Sequence, residues 1–298
     1  MAALPLSPRT IIAVILWMAG ALISFSAAAL GVRALSQTLG LFDILTLRSA
    51  TGIIVLLAVA TVRPALLADL NAKRLPLHVA RNVIHFAATY GWALALTLLP
   101  LATVFALEFT MPVWVALLAV LLLGERMTPS RVACVALGFA GALVILKPGL
   151  ETLQPAALLM LMVAAAFAIS VIATKLLTAT QSTYAILFWM NLIQLPLNWL
   201  GSGPSFWTKV GPEHAWPLAG ICLGGLSAHL CLTNAYRHGD ATMVVPLDFL
   251  RIPLIALIGW RLYDEPLDPF VFLGSALIIA GILWNLRAET RPGPARPA

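Results

Sequence analysis

Long runs of apolar residues, divided by short polar breaks, occupy most of the chain. A membrane-spanning α-helix needs about 20 mostly apolar residues, and ten runs approach that length. They are residues 10–32, 41–62, 77–98, 101–122, 129–147, 154–175, 182–201, 214–236, 241–262 and 268–286. Most connections between them are very short, which predicts antiparallel neighbours. The pattern therefore predicts an all-α integral membrane protein with ten transmembrane helices.

Composition supports a membrane protein and excludes several other classes. Of the 298 residues, 61% are hydrophobic and 10% charged, whereas a soluble globular protein has about 25% charged residues. The net charge of +6 is spread over single basic residues, so no nucleic-acid partner is expected. The chain contains no glycine-rich loop ending in Gly-Lys-Ser/Thr, so ATP is not expected as an energy source. No metal-ligand spacing occurs, and no metal or cofactor is expected.

The distribution of basic residues predicts the orientation in the membrane. With ten spans, both ends of the chain face the same side. If that side is the cytoplasm, eleven Lys or Arg residues lie in inner segments and four in outer segments, as the positive-inside rule requires. We therefore expect a multi-pass protein of the cell inner (cytoplasmic) membrane, with residues 1–9 and a disordered tail, 287–298, in the cytoplasm.

The two halves of the chain resemble each other. A shift of 140 residues aligns 95–143 with 235–283 without a gap and gives 14 identities in 49 positions. The informative matches are Glu125 with Glu265, Pro129 with Pro269, Gly141 with Gly281, and acidic Glu108 with acidic Asp248. Each half contains five spans, and an odd number places the second copy in the membrane inverted. Inverted repeats are typical of secondary transporters.

Two segments resemble a known family. "LLLGERMTPSRVACVALGFAGALVIL" (121–146) is similar to the end of an EamA domain of the drug/metabolite transporter superfamily, and "RLYDEPLDPFVFLGSALIIAGILW" (261–284) is a weaker second copy. The resemblance implies two EamA repeats, 10–147 and 154–286, that form a ten-helix carrier working by alternating access. Relatives export amino acids and other metabolites, or import vitamins and nucleoside derivatives. The first span has no acidic residue, so the proton–drug exchange of small four-helix relatives is not expected.

Ionisable residues lie inside the predicted spans, where each costs roughly 3 kcal/mol at the helix centre. Asp248 and Arg251 are three residues apart and are close enough to pair on one helix. The pair is either a structural ion pair or part of a cavity that exchanges partners with a substrate. Glu108 has no arginine one turn away, and we expect Arg48 of the second span to pair with it. Glu125 and Glu265 lie at predicted interfaces, where we expect them to cap the helices that follow.

Polar and aromatic residues at helical spacing mark two possible walls of a cavity. One stripe in the third span comprises Arg81, His85, Thr89 and Trp92, and one in the eighth comprises His229, Thr233 and Tyr236. They either bind substrate together with Trp17 or act as packing contacts between helices. For the threonines we favour packing, and for Arg81, His85 and His229 we favour the functional role. Pro112 and Pro253 are candidate hinges beside the charged positions.

The sequence predicts a secondary transporter, with no catalytic residues, that moves a small-molecule substrate across the lipid bilayer. We expect amino acids or related zwitterions to be exported, because a carboxylate and a guanidinium together suit an ammonium and a carboxylate. The alternative is import of a vitamin, a nucleoside derivative or an organic anion. A membrane-embedded enzyme or a channel is a more distant alternative. Ten helices with internal pseudo-symmetry need no partner to enclose a cavity, so a monomer is expected, with a dimer as the alternative.

Overall fold

The computed structural model describes residues 8–68, 70–123, 128–147, 154–178, 180–238 and 247–290. All regular elements in these segments are helical. The α-helices are α1 (Pro8–Leu35), α2 (Leu41–Val62), α3 (Ala65–Ala68), α4 (Leu75–Leu98), α5 (Leu101–Glu108), α6 (Met111–Leu123), α7 (Pro129–Leu146), α8 (Pro155–Thr178), α9 (Thr183–Gly201), α10 (Ala215–His238), α11 (Arg251–Tyr263) and α12 (Pro269–Thr290). Two short 3₁₀ helices, Phe206–Lys209 and Pro212–His214, precede α10.

The helices follow the predicted spans closely. Where the spans are described, they are helical except for single residues at their ends and the turns at 109–110 and 249–250. Five helices in the described part of the chain are long and apolar enough to cross a membrane, judged by length and composition. They are Ile12–Leu35, Leu41–Val62, Pro129–Leu146, Pro155–Thr174 and Pro212–Leu232. The chain is thus a helical multi-pass membrane protein, while ten crossings and cytoplasmic termini stay predictions.

The fourth predicted span is two helices rather than one. Helix α5 ends at Glu108, and α6 begins at Met111. Pro112 therefore lies in the first turn of α6, where the missing backbone N–H would have no helical acceptor in any case. The ninth span has the same design: Asp248 is followed by a turn, and Pro253 lies in the first turn of α11. Both prolines start a helix rather than bend one, and an acidic residue precedes each break.

The chain forms two compact units, each with helices from both halves of the sequence. Unit 1 takes residues 1–22, 100–157 and 229–298, and unit 2 takes residues 23–99 and 158–228. The units are therefore interleaved along the chain, and they do not coincide with the two predicted repeats.

Unit 1 is built around a close contact between α7 and α12. A Cβ added to Gly141 would clash with the backbone oxygen of Gly274, and a Cβ on Gly274 would clash with that of Gly141. A second contact joins Gly281 to the backbone of Cys134, 3.2 Å from an added Cβ. The 140-residue shift converts the Cys134–Gly281 contact into the Gly274–Gly141 contact. The two repeat-related helices therefore cross with local two-fold pseudo-symmetry.

Unit 2 is built on the packing of α9 against α2 and α4. Polar contacts join α2 and α9 along their length, including a 2.8 Å hydrogen bond between the hydroxyls of Thr46 and Ser202. The part of α1 within this unit packs against α10 through Gly220 and Gly224, where an added Cβ would lie 2.7 and 2.8 Å from backbone oxygens of α1. These glycines allow close helix packing, as expected for membrane helices.

The contact between α7 and α12 predicts a stability difference between two Gly→Ala variants. Gly141→Ala places its methyl group against backbone, which cannot move aside easily, and should destabilise the protein by about 1–3 kcal/mol. Gly225→Ala is the control, because an added Cβ there meets nothing within 4 Å and alanine favours helix. The apparent Tm in detergent should fall for Gly141→Ala and stay equal or rise for Gly225→Ala. Equal melting temperatures would contradict the close contact.

Candidate functional site

Unit 1 contains a group of three charges, in which the buried Arg251 lies against the partly exposed Glu108 and Asp248. Nη2 of Arg251 donates to both carboxylate oxygens of Asp248 at 2.7 Å. Nη1 of Arg251 lies 3.5 Å from Oε1 of Glu108. The predicted pair of Asp248 with Arg251 is therefore present, and Glu108 joins the same guanidinium. The predicted partner of Glu108, Arg48, belongs to unit 2, so that pairing stays a prediction.

The charged group is related to the sequence repeat. Glu108 and Asp248 occupy equivalent positions, and so do the following residues, Phe109 and Phe249. The two phenylalanine rings meet edge to face with centroids 5.0 Å apart. The two acidic residues meet on one guanidinium, which also lies 5.2 Å from the Phe109 ring centroid. The breaks in the two halves thus bring like residues together, and only the second half supplies the arginine.

Unit 2 contains a separate polar cluster, which joins α2, α4 and α9. Nη2 of Arg48 donates to Oε1 of Gln194 at 3.0 Å, and Nε2 of Gln194 lies 2.9 Å from Nδ1 of His85. Because a guanidinium only donates, it holds the amide oxygen of Gln194 on its own side. The amide nitrogen then faces His85, whose Nδ1 must accept. Arg48 thereby determines the orientation of Gln194 and the tautomer of His85.

The second arginine of unit 2, Arg81, is 8% exposed. Its Nε donates to Oγ1 of Thr174 at 3.1 Å, and its Nη1 donates to Oδ1 of Asn82 at 2.6 Å. Both acceptors are neutral. Among the residues that the structure describes, neither Arg81 nor Arg48 forms an ion pair with a carboxylate. In unit 2, the described side chains therefore give these two guanidinium groups hydrogen-bond acceptors but no negative charge.

Three amide side chains on α9 are functional candidates that sequence reasoning missed. Asn191, Gln194 and Asn198 are all buried and follow the three- and four-residue spacing of one helix face. Asn198 donates to the Ser49 hydroxyl at 3.1 Å, whereas Gln194 bridges to Arg48. Neutral amides carry no charge to draw attention in an apolar run. Their shared spacing was the signal that could have revealed them.

The other predicted site residues occupy varied positions. Thr89 donates to the backbone oxygen of His85 at 2.7 Å, which is a helix-internal contact as expected for a packing residue. Trp17 packs against an apolar cluster that includes Val14 and Met18. Trp92 is half-buried on α4. The predicted sites His229, Thr233 and Tyr236 lie on α10, but their side chains are outside the part of the structure that is described.

The prediction that Glu265 caps the helix that follows is wrong. Its Oε2 accepts a 2.8 Å hydrogen bond from the backbone N–H of Leu101, the first residue of α5. Asp264 has a φ of 52° and ends α11 in the left-handed region, directly before Glu265. Asp268 instead accepts from the backbone N–H of Phe270 at 2.9 Å in the first turn of α12. The prediction for Glu125 lies outside the described residues.

A cavity of about 530 Å³ opens in unit 1 near the ends of α7 and α12. A 2.7 Å ion pair between Lys147 and Asp268 forms part of its wall. None of the predicted site residues is among its lining residues. Nothing in its lining connects it with the charged group of unit 1.

Charged and amide groups inside membrane-spanning helices are candidates for a functional site. A model of the EamA-like transporter family matches residues 12–147 and 154–287. The chain therefore belongs to this family, and it is a transporter rather than an enzyme.

Individual relatives differ in what they are named for. The chain is 34% identical to a riboflavin transporter of Rhizobium johnstonii, over 72% of this chain and 71% of that protein. It is 27% identical to an S-adenosylmethionine uptake transporter of Rickettsia felis, over 74% and 75%. It is also 28% identical to a pseudopaline exporter of Pseudomonas aeruginosa, over 85% and 88%.

The charged group of unit 1 predicts unequal costs for losing its members. Arg251→Met leaves two partly buried carboxylates without their shared cation; breaking a fully buried ion pair costs about 3–5 kcal/mol, which is the upper bound here. Asp248→Asn keeps a hydrogen-bond acceptor beside Arg251, and Glu108 retains the ion pair. The apparent Tm and the monodisperse fraction in detergent should therefore fall much further for Arg251→Met. A larger loss for Asp248→Asn would show that the arginine is not the centre of the group.

Proposed function

We propose that this protein is a secondary transporter that takes up riboflavin or a closely related acceptor-rich heterocycle. The relatives named for riboflavin and S-adenosylmethionine support the import of a vitamin or nucleoside-like solute over the export of amino acids. Because another relative is named a pseudopaline exporter, the direction of transport is a separate question for experiment. Ten crossings, location in the cell inner membrane and independence of ATP complete the proposal.

The observation that carries the substrate class is the half-buried Arg48 of unit 2, which donates to the neutral amide of Gln194. Arg48 and Arg81 have only neutral partners among the described side chains. Moreover, the Nε of Arg48 is buried without a hydrogen-bond partner there. Buried donors without acceptors are costly and rare in proteins. A substrate that brings acceptor atoms to this cluster would satisfy them on binding.

Riboflavin has the chemistry that this cluster lacks. Its isoalloxazine ring carries two carbonyl oxygens and ring nitrogens that accept hydrogen bonds, and its flat face suits aromatic neighbours. Phe167 lies edge-on to His85 of the cluster, with ring centroids 5.6 Å apart. Aromatic walls with a few directed polar groups are typical of ligand sites.

The same charges disfavour two other substrates. S-adenosylmethionine carries a sulfonium and an ammonium, which the guanidinium of Arg48 would repel. A binding site for an amino acid would also need a carboxylate of the protein beside the ammonium group of the substrate. In the described part of unit 2, Asp43 accepts from the backbone N–H groups of Gly40 and Gly203, at 3.1 Å each. The remaining described carboxylate of that unit, Glu213, is exposed beside His214. Neither belongs to the Arg48–Gln194–His85 cluster.

Proteoliposome transport tests the proposal directly. We expect saturable uptake of labelled riboflavin that is stimulated by unlabelled riboflavin inside the vesicles, because a carrier exchanges substrate faster than it returns empty. Excess flavin mononucleotide should compete, whereas S-adenosylmethionine and a panel of amino acids should not. Amino-acid counterflow without any riboflavin counterflow would refute the substrate class. Release of riboflavin from preloaded vesicles without uptake would refute the direction.

Matched glutamine variants test the cluster itself. Gln194→Leu removes the bridge between Arg48 and His85, and we expect riboflavin uptake to fall about tenfold or more, since hydrogen bonds to charged groups are worth roughly 1.5–3 kcal/mol. Gln181→Leu is the control, because Gln181 is also buried in unit 2 but donates to Asn71 at 2.9 Å, outside the cluster. Equal uptake by the two variants, at equal reconstitution, would remove Gln194 from the site.

A further inference from the structure

Helix α4 carries a stripe of polar side chains whose two ends differ. His78, Asn82, His85 and Thr89 follow each other at intervals of four, three and four residues, so they share one helix face. At the C-terminal end of the stripe, Thr89 donates to the backbone oxygen of His85, and the His85 ring is hydrogen-bonded to Gln194. At the N-terminal end, His78 and Asn82 are completely buried, and polar atoms there lack partners.

The atoms without partners are mostly donors. Both ring nitrogens of His78, Nδ2 of Asn82 and Nε1 of Trp189 are buried and have no hydrogen-bond partner among the described residues. A neutral histidine carries one N–H, and the asparagine amide nitrogen and the tryptophan ring nitrogen only donate. The rings of His78 and Trp189 lie 6.0 Å apart, so helices α4 and α9 both contribute. A buried polar atom without a partner points to a bound group.

Arg81 determines which way the asparagine faces. Its Nη1 holds Oδ1 of Asn82 at 2.6 Å, so the amide oxygen is engaged and the NH₂ group is the part left to donate. On the other side, Nε of Arg81 is held by Thr174 of α8 at 3.1 Å. The guanidinium is thus fixed in position beside these donors, with a full positive charge.

Charge distinguishes an anion from a water molecule as the missing partner. A water would satisfy the donors but would leave the Arg81 charge uncompensated in a membrane-spanning helix, which is costly. No carboxylate among the described residues of unit 2 reaches Arg81. A small anion would satisfy the donors and neutralise the charge together.

We propose that His78, Arg81, Asn82 and Trp189 form a binding site for a small monovalent anion such as chloride. The site lies in unit 2 next to the Arg48–Gln194–His85 cluster, and it goes beyond the proposed function because it needs no substrate. Arg48 is then available to hydrogen-bond the acceptor atoms of the transported molecule, while the anion neutralises Arg81.

Thermal unfolding of the purified full chain tests anion binding. At constant ionic strength, replacing sodium gluconate by sodium chloride should raise the apparent Tm in a saturable way, because a ligand bound to the folded state stabilises it by mass action. Trp189→Phe removes a single N–H donor, and we expect its apparent Kd for chloride to weaken about tenfold. Trp114→Phe is the control, since Nε1 of Trp114 is also buried without a partner but lies in unit 1. Equal responses of the two variants would overturn the proposal.

Anomalous diffraction locates the anion. Crystals grown in sodium bromide should show a bromide peak within hydrogen-bonding distance of Nε1 of Trp189 and Nδ2 of Asn82. The peak should be absent in Asn82→Leu, a variant of similar volume without the donor. Ordered water at this position, together with a Tm that does not respond to chloride, would refute the anion site. Since both measurements are made without substrate, failure of riboflavin transport would leave their result unchanged.

Discussion

The neutralisation of buried arginines is the constraint on which most of this structure depends. A guanidinium inside a membrane is not hydrated by bulk water, and it cannot lose its proton under ordinary conditions. Unit 1 meets the requirement with carboxylates, since Asp248 and Glu108 both lie against Arg251. Unit 2 meets only half of it, because Arg48 and Arg81 find hydrogen-bond acceptors but no counter-charge among the described side chains. In unit 1 the charges are thus neutralised within the protein, whereas in unit 2 a counter-charge is missing among the described side chains.

The helix breaks make the first of these solutions possible. Glu108 ends α5, and Asp248 precedes the turn before α11, so each carboxylate lies where the backbone changes direction. Discontinuous helices are common near the midplane of transporters built from inverted repeats. Here the repeat brings together two like groups, an acid followed by a phenylalanine, and both acids lie against one arginine. An asymmetric residue, Arg251 in one half against Met111 in the other, turns a repulsive pair of acids into a stable group.

Much of the fold followed from the hydrophobic pattern, because helix length and apolar composition are local properties. The second helix, 41–62, was predicted with the bounds that the structure shows. The pair of Asp248 and Arg251 could also be predicted, since three residues along a helix bring side chains together. The contact of Glu265 with Leu101 could not, because it depends on a left-handed residue, Asp264, and on the packing of helices far apart in sequence. Helix capping is a local rule, and it does not describe a carboxylate that binds a helix distant in sequence.

The same distinction explains why the site in unit 2 was only half predicted. Arg48, Arg81 and His85 were identified because charged or titratable residues are conspicuous in an apolar run. Gln194 was not, although its amide links Arg48 to His85. An amide is the group best suited to that position: it offers an acceptor to the guanidinium and a donor to the imidazole without adding a charge. A carboxylate there would neutralise Arg48 and complete the cluster internally, as Asp248 does for Arg251. By using an amide, unit 2 orients Arg48 without neutralising it, which under the proposed function leaves donors of Arg48 to the acceptor atoms of the substrate.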